Sequence, residues 1–302
     1  MTAHDHAHPM PDHRGRLAVV LAITVTVLVV EVVGAIVSGS LALLADAAHM
    51  LTDALGLTMG LLAAVLVTRP STSQRTWGWH RAEVLGAAAQ AGLLLVVGGY
   101  VLVEAVRRLF SPEEVAPTAM IVFGAVGLVG NIIGLLVLAG GRGDNLNMRA
   151  AFLEVANDAL GSVAVLVAAA TVATTGFLRA DAIASLVIAA LILPRAVRLL
   201  RETGHILLEA TPAGLDLDAV RDRLLAMEHV HEVHDLHATQ VATGLPVLTA
   251  HLVVDDACFF DGHLAQLLDE AQACLADEYD VEHSTVQFEM LSHGAHESGM
   301  HT

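Results

Sequence analysis

A membrane domain of six apolar helices followed by a small α+β domain is what the sequence predicts, and three observations predict it. Six apolar runs of about 20 residues or more occupy the first two thirds of the chain, each long enough to cross about 30 Å of hydrocarbon at 1.5 Å per residue. After about residue 203 the composition becomes that of an acidic soluble domain. From 205 to 291 helical and strand periodicities alternate.

The bulk properties agree. Of 302 residues 55% are hydrophobic and only 16% charged. A net charge of -17 with histidines neutral argues against nucleic acid as a partner. The two cysteines, Cys258 and Cys274, lie in the soluble part without CxxC spacing and read as free thiols. The apolar run after the polar first 16 residues is too long for a signal-peptide core, so it reads as a first span.

Taken in order, residues 1–16 form a tail holding His4, His6, His8 and His13, and 292–302 a second holding His293, His296 and His301. Such tracts either bind metal weakly or are simply solvated. The spans follow at roughly 17–38, 41–67, 83–107, 116–140, 150–174 and 180–200, giving a membrane domain over 17–203. An even count puts both ends on one side. With the ends inside, inner segments hold Arg14, Arg16, Arg69, Arg75, Arg81, Arg142, Arg149, Arg195, Arg198 and Arg201, and outer loops only Arg107, Arg108 and Arg179, so both termini are expected in the cytoplasm. Gly56 with Gly60 and Gly130 with Gly134 have the spacing that lets helix backbones approach.

Ionisable residues in these spans carry the functional signal, because charge in hydrocarbon is costly. The second span places Asp46, His49 and Asp53 on one helix face, and the fifth carries Glu154 and Asp158 four residues apart. One histidine and three carboxylates from two helices suffice for a four-coordinate divalent cation. Asn157 is about 100° around the helix from Asp158, a supporting position. Glu31 in the first span is expected to have a structural partner, Glu104 to pair with Arg107 and Arg108, and Glu83 and Asp181 to sit at helix starts. In the loop after the second span, Trp77 and Trp79 read as interfacial anchors, and His80 is a candidate loop ligand.

Over 204–291 the pattern is helix (217–227), strand (230–242), strand (246–255), helix (262–279), strand (282–290), with a hairpin turn at 243–246, which suggests an open-faced α+β sandwich.

The segments SGSLALLADAAHMLTDALGL, TWGWHRAEVLGAAAQ, NDALGSVAVL and VHDLHATQ, in this order, resemble the cation diffusion facilitator family of metal/proton antiporters, over about residues 17–290. The resemblance implies a transport site of His49, Asp53, Glu154 and Asp158 at midmembrane, and efflux of a divalent cation, foremost Zn²⁺, in exchange for protons. It implies a metallochaperone-like, ferredoxin-like soluble domain that pairs in a homodimer and binds regulatory metal, with VHDLH, TAH and EHST matching at His234, His251 and His283. His263 matches a position that ligates in some members, and His237 and Glu289 are further candidates. It also implies a multi-pass protein of the cell (inner) membrane. Glu154 stands where the family commonly has histidine, and a harder oxygen donor moves preference toward Mn²⁺, Fe²⁺ or Co²⁺, with Cd²⁺ a further candidate substrate. A membrane metal receptor or store that does not transport is the alternative reading. An intramembrane metallohydrolase fits less well, since HxxxD with ExxxD lacks the HExxH arrangement.

Overall fold

The computed structural model describes residues 13–139 and 146–293, without the side chains of 13–18, 57, 60, 61, 63, 64 and 146–151. His4, His6, His8, His296 and His301 lie outside the described residues, as does the His13 side chain. The chain divides into two compact units, residues 1–61 with 89–199, and 62–88 with 200–302.

Six long helices come first: α1 His13–Ser38, α2 Leu41–Val67, α3 Arg81–Phe110, α4 Pro117–Ala139, α5 Leu146–Thr175 and α6 Arg179–Leu207. Among the described residues, five are long and apolar enough to cross a membrane: Val19–Ser38, Arg81–Phe110, Pro117–Ala139, Phe152–Thr175 and Arg179–Leu207. The remaining long helix, α2, has 27 residues and contains positions 57, 60, 61, 63 and 64, which lie outside that comparison. α3 and α6 run beyond the apolar stretches, because Arg107, Arg108 and the polar residues near His205 continue a helical pattern once the apolar run has ended.

The first unit exposes large apolar side chains and buries a set of polar ones. Ile36, Val96 and Val103 are 77%, 72% and 71% exposed, whereas Glu31, Asp46, Asn131, Asp158 and Ser162 are buried. An apolar exterior with ionisable groups inside suits a hydrocarbon surround. α4 packs on α5 and α1, and small residues make the contact close. A Cβ at Gly134 would lie 3.2 Å from Val155 Cγ1, and one at Gly56 would lie 2.6 Å from Gln90 Nε2. At the α1–α2 turn, Gly39 has φ +68, and Leu41, Leu43, Met120 and Ala169 lead the apolar core nearby. Asp181 at the start of α6 caps α2 as well: it accepts from Ser40 Oγ at 2.5 Å and from the Leu41 and Ala42 amides at 2.9 and 3.2 Å, satisfying donors that a helix start leaves open. Glu104 accepts from Arg107 Nη2 at 2.6 Å and Arg108 Nε at 3.0 Å, the local pairing that the spacing suggested.

Glu31 is fully buried, and its carboxyl stands beside that of Asp46 on α2, a partner within the bundle. It stands against Gly127, where a Cβ would overlap it.

The second unit contains α7 Leu217–Leu225, β1 Val230–Ala242, β2 Leu245–Val254, α8 Cys258–Asp261, α9 His263–Tyr279 and β3 His283–Met290. Asp216 accepts from the Asp218 and Ala219 amides and starts α7. Gly244, φ +73, turns β1 into β2. The sheet order is β1-β2-β3, with β1 and β2 antiparallel and β2 and β3 parallel. Such a parallel pair needs a crossover, which α9 supplies. Val220, Leu224, Leu248, Leu252, Leu267 and Leu275 form the core between the sheet and the helices. Cys258 and Cys274 are buried free thiols, and burial pushes both upward from the ordinary thiol pKa.

Candidate metal-transport site

Among the described residues, two groups of three metal-capable side chains bring their ligand atoms within 4.8 Å of one another. The first is His49, Asp53 and Asp158. His49 and Asp53 share a face of α2 through their i,i+4 spacing, and α5 brings Asp158 to them. His49 Nε2 is 3.5 Å from Asp53 Oδ2 and 3.5 Å from Asp158 Oδ1. All three residues are buried, with 8%, 5% and 2% of their surfaces exposed. Asp53 Oδ2 and Asp158 Oδ1, which both face His49 Nε2, have no hydrogen-bond partner. Buried polar atoms are nearly always satisfied, and two unsatisfied carboxylate oxygens against one imidazole make a site for a cation.

α2 is fixed beside this point. Thr52 Oγ1 donates to the His49 carbonyl at 2.6 Å, and Gln90 Nε2 of α3 donates to the Thr52 carbonyl at 2.8 Å. Asp46 lies one turn further along, where Ser162 Oγ donates to its Oδ2 at 3.1 Å, and Asn131 Nδ2 donates to Ser162 Oγ at 3.3 Å. Asp46 and Asn157 line a cavity of about 140 Å³ together with His49, Gly161, Ile192 and Arg195. That places Asn157, the expected supporting residue, and Asp46 next to the site.

Glu154, the fourth expected member, lies outside this group of three, with its carboxyl beside that of Asp53. Its carboxylate takes a short hydrogen bond from Arg195 Nη2, and the same nitrogen stands 4.0 Å from Asp53 Oδ1. Arg195 read from sequence as one of the inner-side arginines, whereas here it reaches the ligand cluster. The signal available was its place: directly after Pro194, inside the apolar stretch of α6.

The second group is His234, His251 and Glu289 of the soluble domain. Register makes it: His234 of β1 pairs with His251 of β2, and β3 runs parallel beside β2 with Glu289 opposite Val253. Glu289 is 3.2 Å from His234 Nε2 and 2.9 Å from His251 Nδ1, while the two rings lie edge to face at 5.2 Å. Asp235, which the sequence did not single out, sits at a β1 irregularity with φ +48, 3.5 Å from His251 Nε2 and 2.7 Å from His237 Nε2. Its only advance signal was its position between His234 and His237.

His263 and His283 do not join this cluster. His263 begins α9, where its Nδ1 is 3.2 Å from Asp261 and its ring stands 5.4 Å from that of His229. His283 meets the edge of Trp77 at 4.8 Å, because β3 starts it at the far end of the sheet from Glu289. Trp77 thus packs on a histidine ring, and Arg75 lies over Trp79 at 3.8 Å. His80 Nδ1 is 2.6 Å from the Trp77 carbonyl, a local bond within the loop.

A bundle with an apolar exterior and a dry histidine–carboxylate cluster at its centre defines a class, the integral membrane carriers of metal cations. A cation efflux transmembrane domain matches residues 17–208, and the cytoplasmic domain of cation efflux proteins matches 212–291. The metal cation efflux system protein CzcD of Cupriavidus metallidurans is 40% identical over 287 residues, covering 95% of this chain and 90% of its own length. The zinc transporter ZitB of Escherichia coli is 38% identical, covering 95% and 92%. A cadmium, cobalt and zinc/H(+)-K(+) antiporter of Bacillus velezensis is 32% identical, covering 96% and 93%. The chain belongs to the cation efflux family, the cation diffusion facilitators.

Proposed function

We propose that the protein exports a divalent metal cation, foremost Zn²⁺, from the cytoplasm in exchange for protons, through His49, Asp53 and Asp158. One observation carries the reading: a buried histidine and two buried carboxylates on apolar helices bring their ligand atoms within 4.8 Å of one another, and two of the carboxylate oxygens have no hydrogen-bond partner. Ligation requires a neutral imidazole and ionised carboxylates, so metal and protons compete for the same atoms, and a proton arriving from outside releases the ion. The names of the zinc and antiporter relatives support substrate and exchange alike. Access alternates by rearrangement of the helices around the site.

In this reading six helices cross the inner membrane with both termini in the cytoplasm, and the ferredoxin-like soluble domain pairs two copies into a homodimer. His234, His251 and Glu289 then bind regulatory metal on the cytoplasmic side, and that metal favours the transporting state. The test is Zn²⁺ uptake into vesicles carrying the purified protein. Uptake rises when the interior, which receives the metal, is acidified. A rate indifferent to an imposed pH gradient overturns the exchange.

A further inference from the structure

We infer that Glu31 and Asp46 share one proton and that metal binding one turn away drives it off, which makes the pair a proton site of the exchange distinct from the metal ligands. The inference deepens the transport reading above and rests on it.

Glu31 of α1 and Asp46 of α2 are 0% and 1% exposed, and their carboxyls stand in contact. Glu31 Oε1, Glu31 Oε2 and Asp46 Oδ1 meet no hydrogen-bond donor among the described residues; Ser162 Oγ donates to Asp46 Oδ2. Two carboxylates that meet in a dry interior repel one another, and a proton between them turns the repulsion into a hydrogen bond. The pair therefore rests with a single negative charge. The sequence leaves room for it on two sides: a Cβ at Gly127 of α4 would overlap Glu31 Oε1, and one at Gly161 of α5 would overlap Asp46 Oδ1.

Few other charges face the pair. α4 brings the neutral Gly127 and Asn131 to it, and α5 brings Ser162 and, further along, the Asp158 carboxyl. Beyond Asp46, its cavity of about 140 Å³ is lined by His49 of the same helix and by Arg195 of α6, whose guanidinium is bonded to Glu154. The hydrogen bonds of Asp46 run to Ser162 and Glu31, and among the described residues none runs to the three ligands. A divalent ion held by His49, Asp53 and Asp158 is the largest charge near the pair, and its field favours ionising the second carboxyl. The shared proton then passes to water through the cavity that Asp46 lines, and two carboxylates remain. A proton returning to the pair reverses this and loosens the ion, so protons act on the metal through the field as well as by competition for ligand atoms.

The experiment counts the protons released when Zn²⁺ binds to the full-length protein in detergent, with a pH dye in weak buffer. A His251→Ala, Glu289→Ala background removes the contribution of the soluble cluster. Glu31→Gln keeps the shape, the hydrogen bond and the single negative charge of the resting pair, and leaves it no proton to give. Asp46→Asn does the same from α2. Each variant lowers the count by about one proton per Zn²⁺. Combining the two lowers it no further, because both remove the same proton. In vesicles under a pH gradient of about one unit, the steady Zn²⁺ gradient reached by each single variant falls about tenfold, since one coupled proton contributes about a factor of ten per unit. A purely structural pair leaves the count unchanged, and an unchanged count in either variant overturns the inference. Each variant decides alone, so loss of one to misfolding leaves the other. If the parent binds Zn²⁺ without moving it, the transport reading fails instead, and the proton count still decides the role of the pair.

Discussion

The two clusters use the same kinds of donor and differ in how deeply they are buried. In the membrane, His49, Asp53 and Asp158 come from two helices and are almost wholly buried, with Asp53 Oδ2 and Asp158 Oδ1 lacking a hydrogen-bond partner. In the soluble domain, the three donors come from three strands, the His234 and His251 side chains are 15% and 21% exposed, and Glu289 lies within 3.2 Å of a nitrogen on each. Glu289 Oε2 lacks a hydrogen-bond partner as well, so open valence is common to both. An ion reaches the strand histidines from solvent, whereas it reaches the helical cluster only through the bundle. Donor identity is therefore a weak guide to role, and depth of burial a stronger one.

The sharpest way to break the contrast is to remove a ligand on each side. Asp158→Ala or Asp53→Ala lowers Zn²⁺ uptake by more than about 100-fold, because loss of a direct ligand exceeds what loss of a supporting partner costs. Uptake within tenfold of the parent would place the conducting site elsewhere.

A steric change tests how closely the membrane cluster is fitted. A Cβ at Gly161 would overlap Asp46 Oδ1, so Gly161→Ala forces the side chain that Ser162 holds to move. Such overpacking costs about 1–3 kcal/mol. The expected result is a lower midpoint of thermal unfolding together with slower uptake. Gly204→Ala, inside α6 where a Cβ would meet nothing within 4 Å, serves as the control: it leaves uptake within error and does not lower the midpoint, since alanine favours the helix.

In the soluble cluster the same treatment is milder. His251→Ala with Glu289→Ala leaves the membrane site intact and moves the metal concentration for half-maximal uptake about three- to tenfold, the size of a modest coupling between sites. No change at all would make this cluster structural and remove the regulatory role.

Much of this was legible in the sequence for a physical reason. Apolar runs and i,i+4 ionisable pairs are properties of single helices, so His49 with Asp53, and Glu154 with Asp158, could be paired before any tertiary information. The helix, strand, strand, helix, strand order followed from local periodicity in the same way. Relations between elements were not legible. Register alone decides that His251 meets Glu289 while His283 goes to Trp77. Helix packing alone brings Arg195 of α6 to Glu154 of α5, and it gives Asp181 the start of α2 to cap. A charge tally counts an arginine without saying which face it takes, and so Arg195 entered as a topology marker.

The smallest expected effect concerns histidines outside both clusters. His229, at φ +69, and His231 each place a ring nitrogen on Asp255, at 2.9 and 2.7 Å. The hydrogen bond to Asp255 pushes the His229 pKa up, and the two histidines hold the Asp255 carboxyl below its usual range. For His229, raised on folding, the added stability is complete below the ordinary histidine pKa and disappears as pH rises through the raised value. For Asp255, lowered on folding, it is complete above the ordinary aspartate pKa and disappears as pH falls through the lowered value. The pairing therefore stabilises most between about pH 3.9 and 6.5, the ordinary values for the two groups. Both tryptophans, Trp77 and Trp79, belong to the unit that contains this domain, so their fluorescence follows its unfolding in the full-length protein. With metal chelated, the midpoint difference between the parent and His229→Gln is largest near pH 6 and shrinks as pH rises past the raised His229 value. A difference that stays constant across that range would assign the loss to backbone strain at position 229 and not to the ion pair.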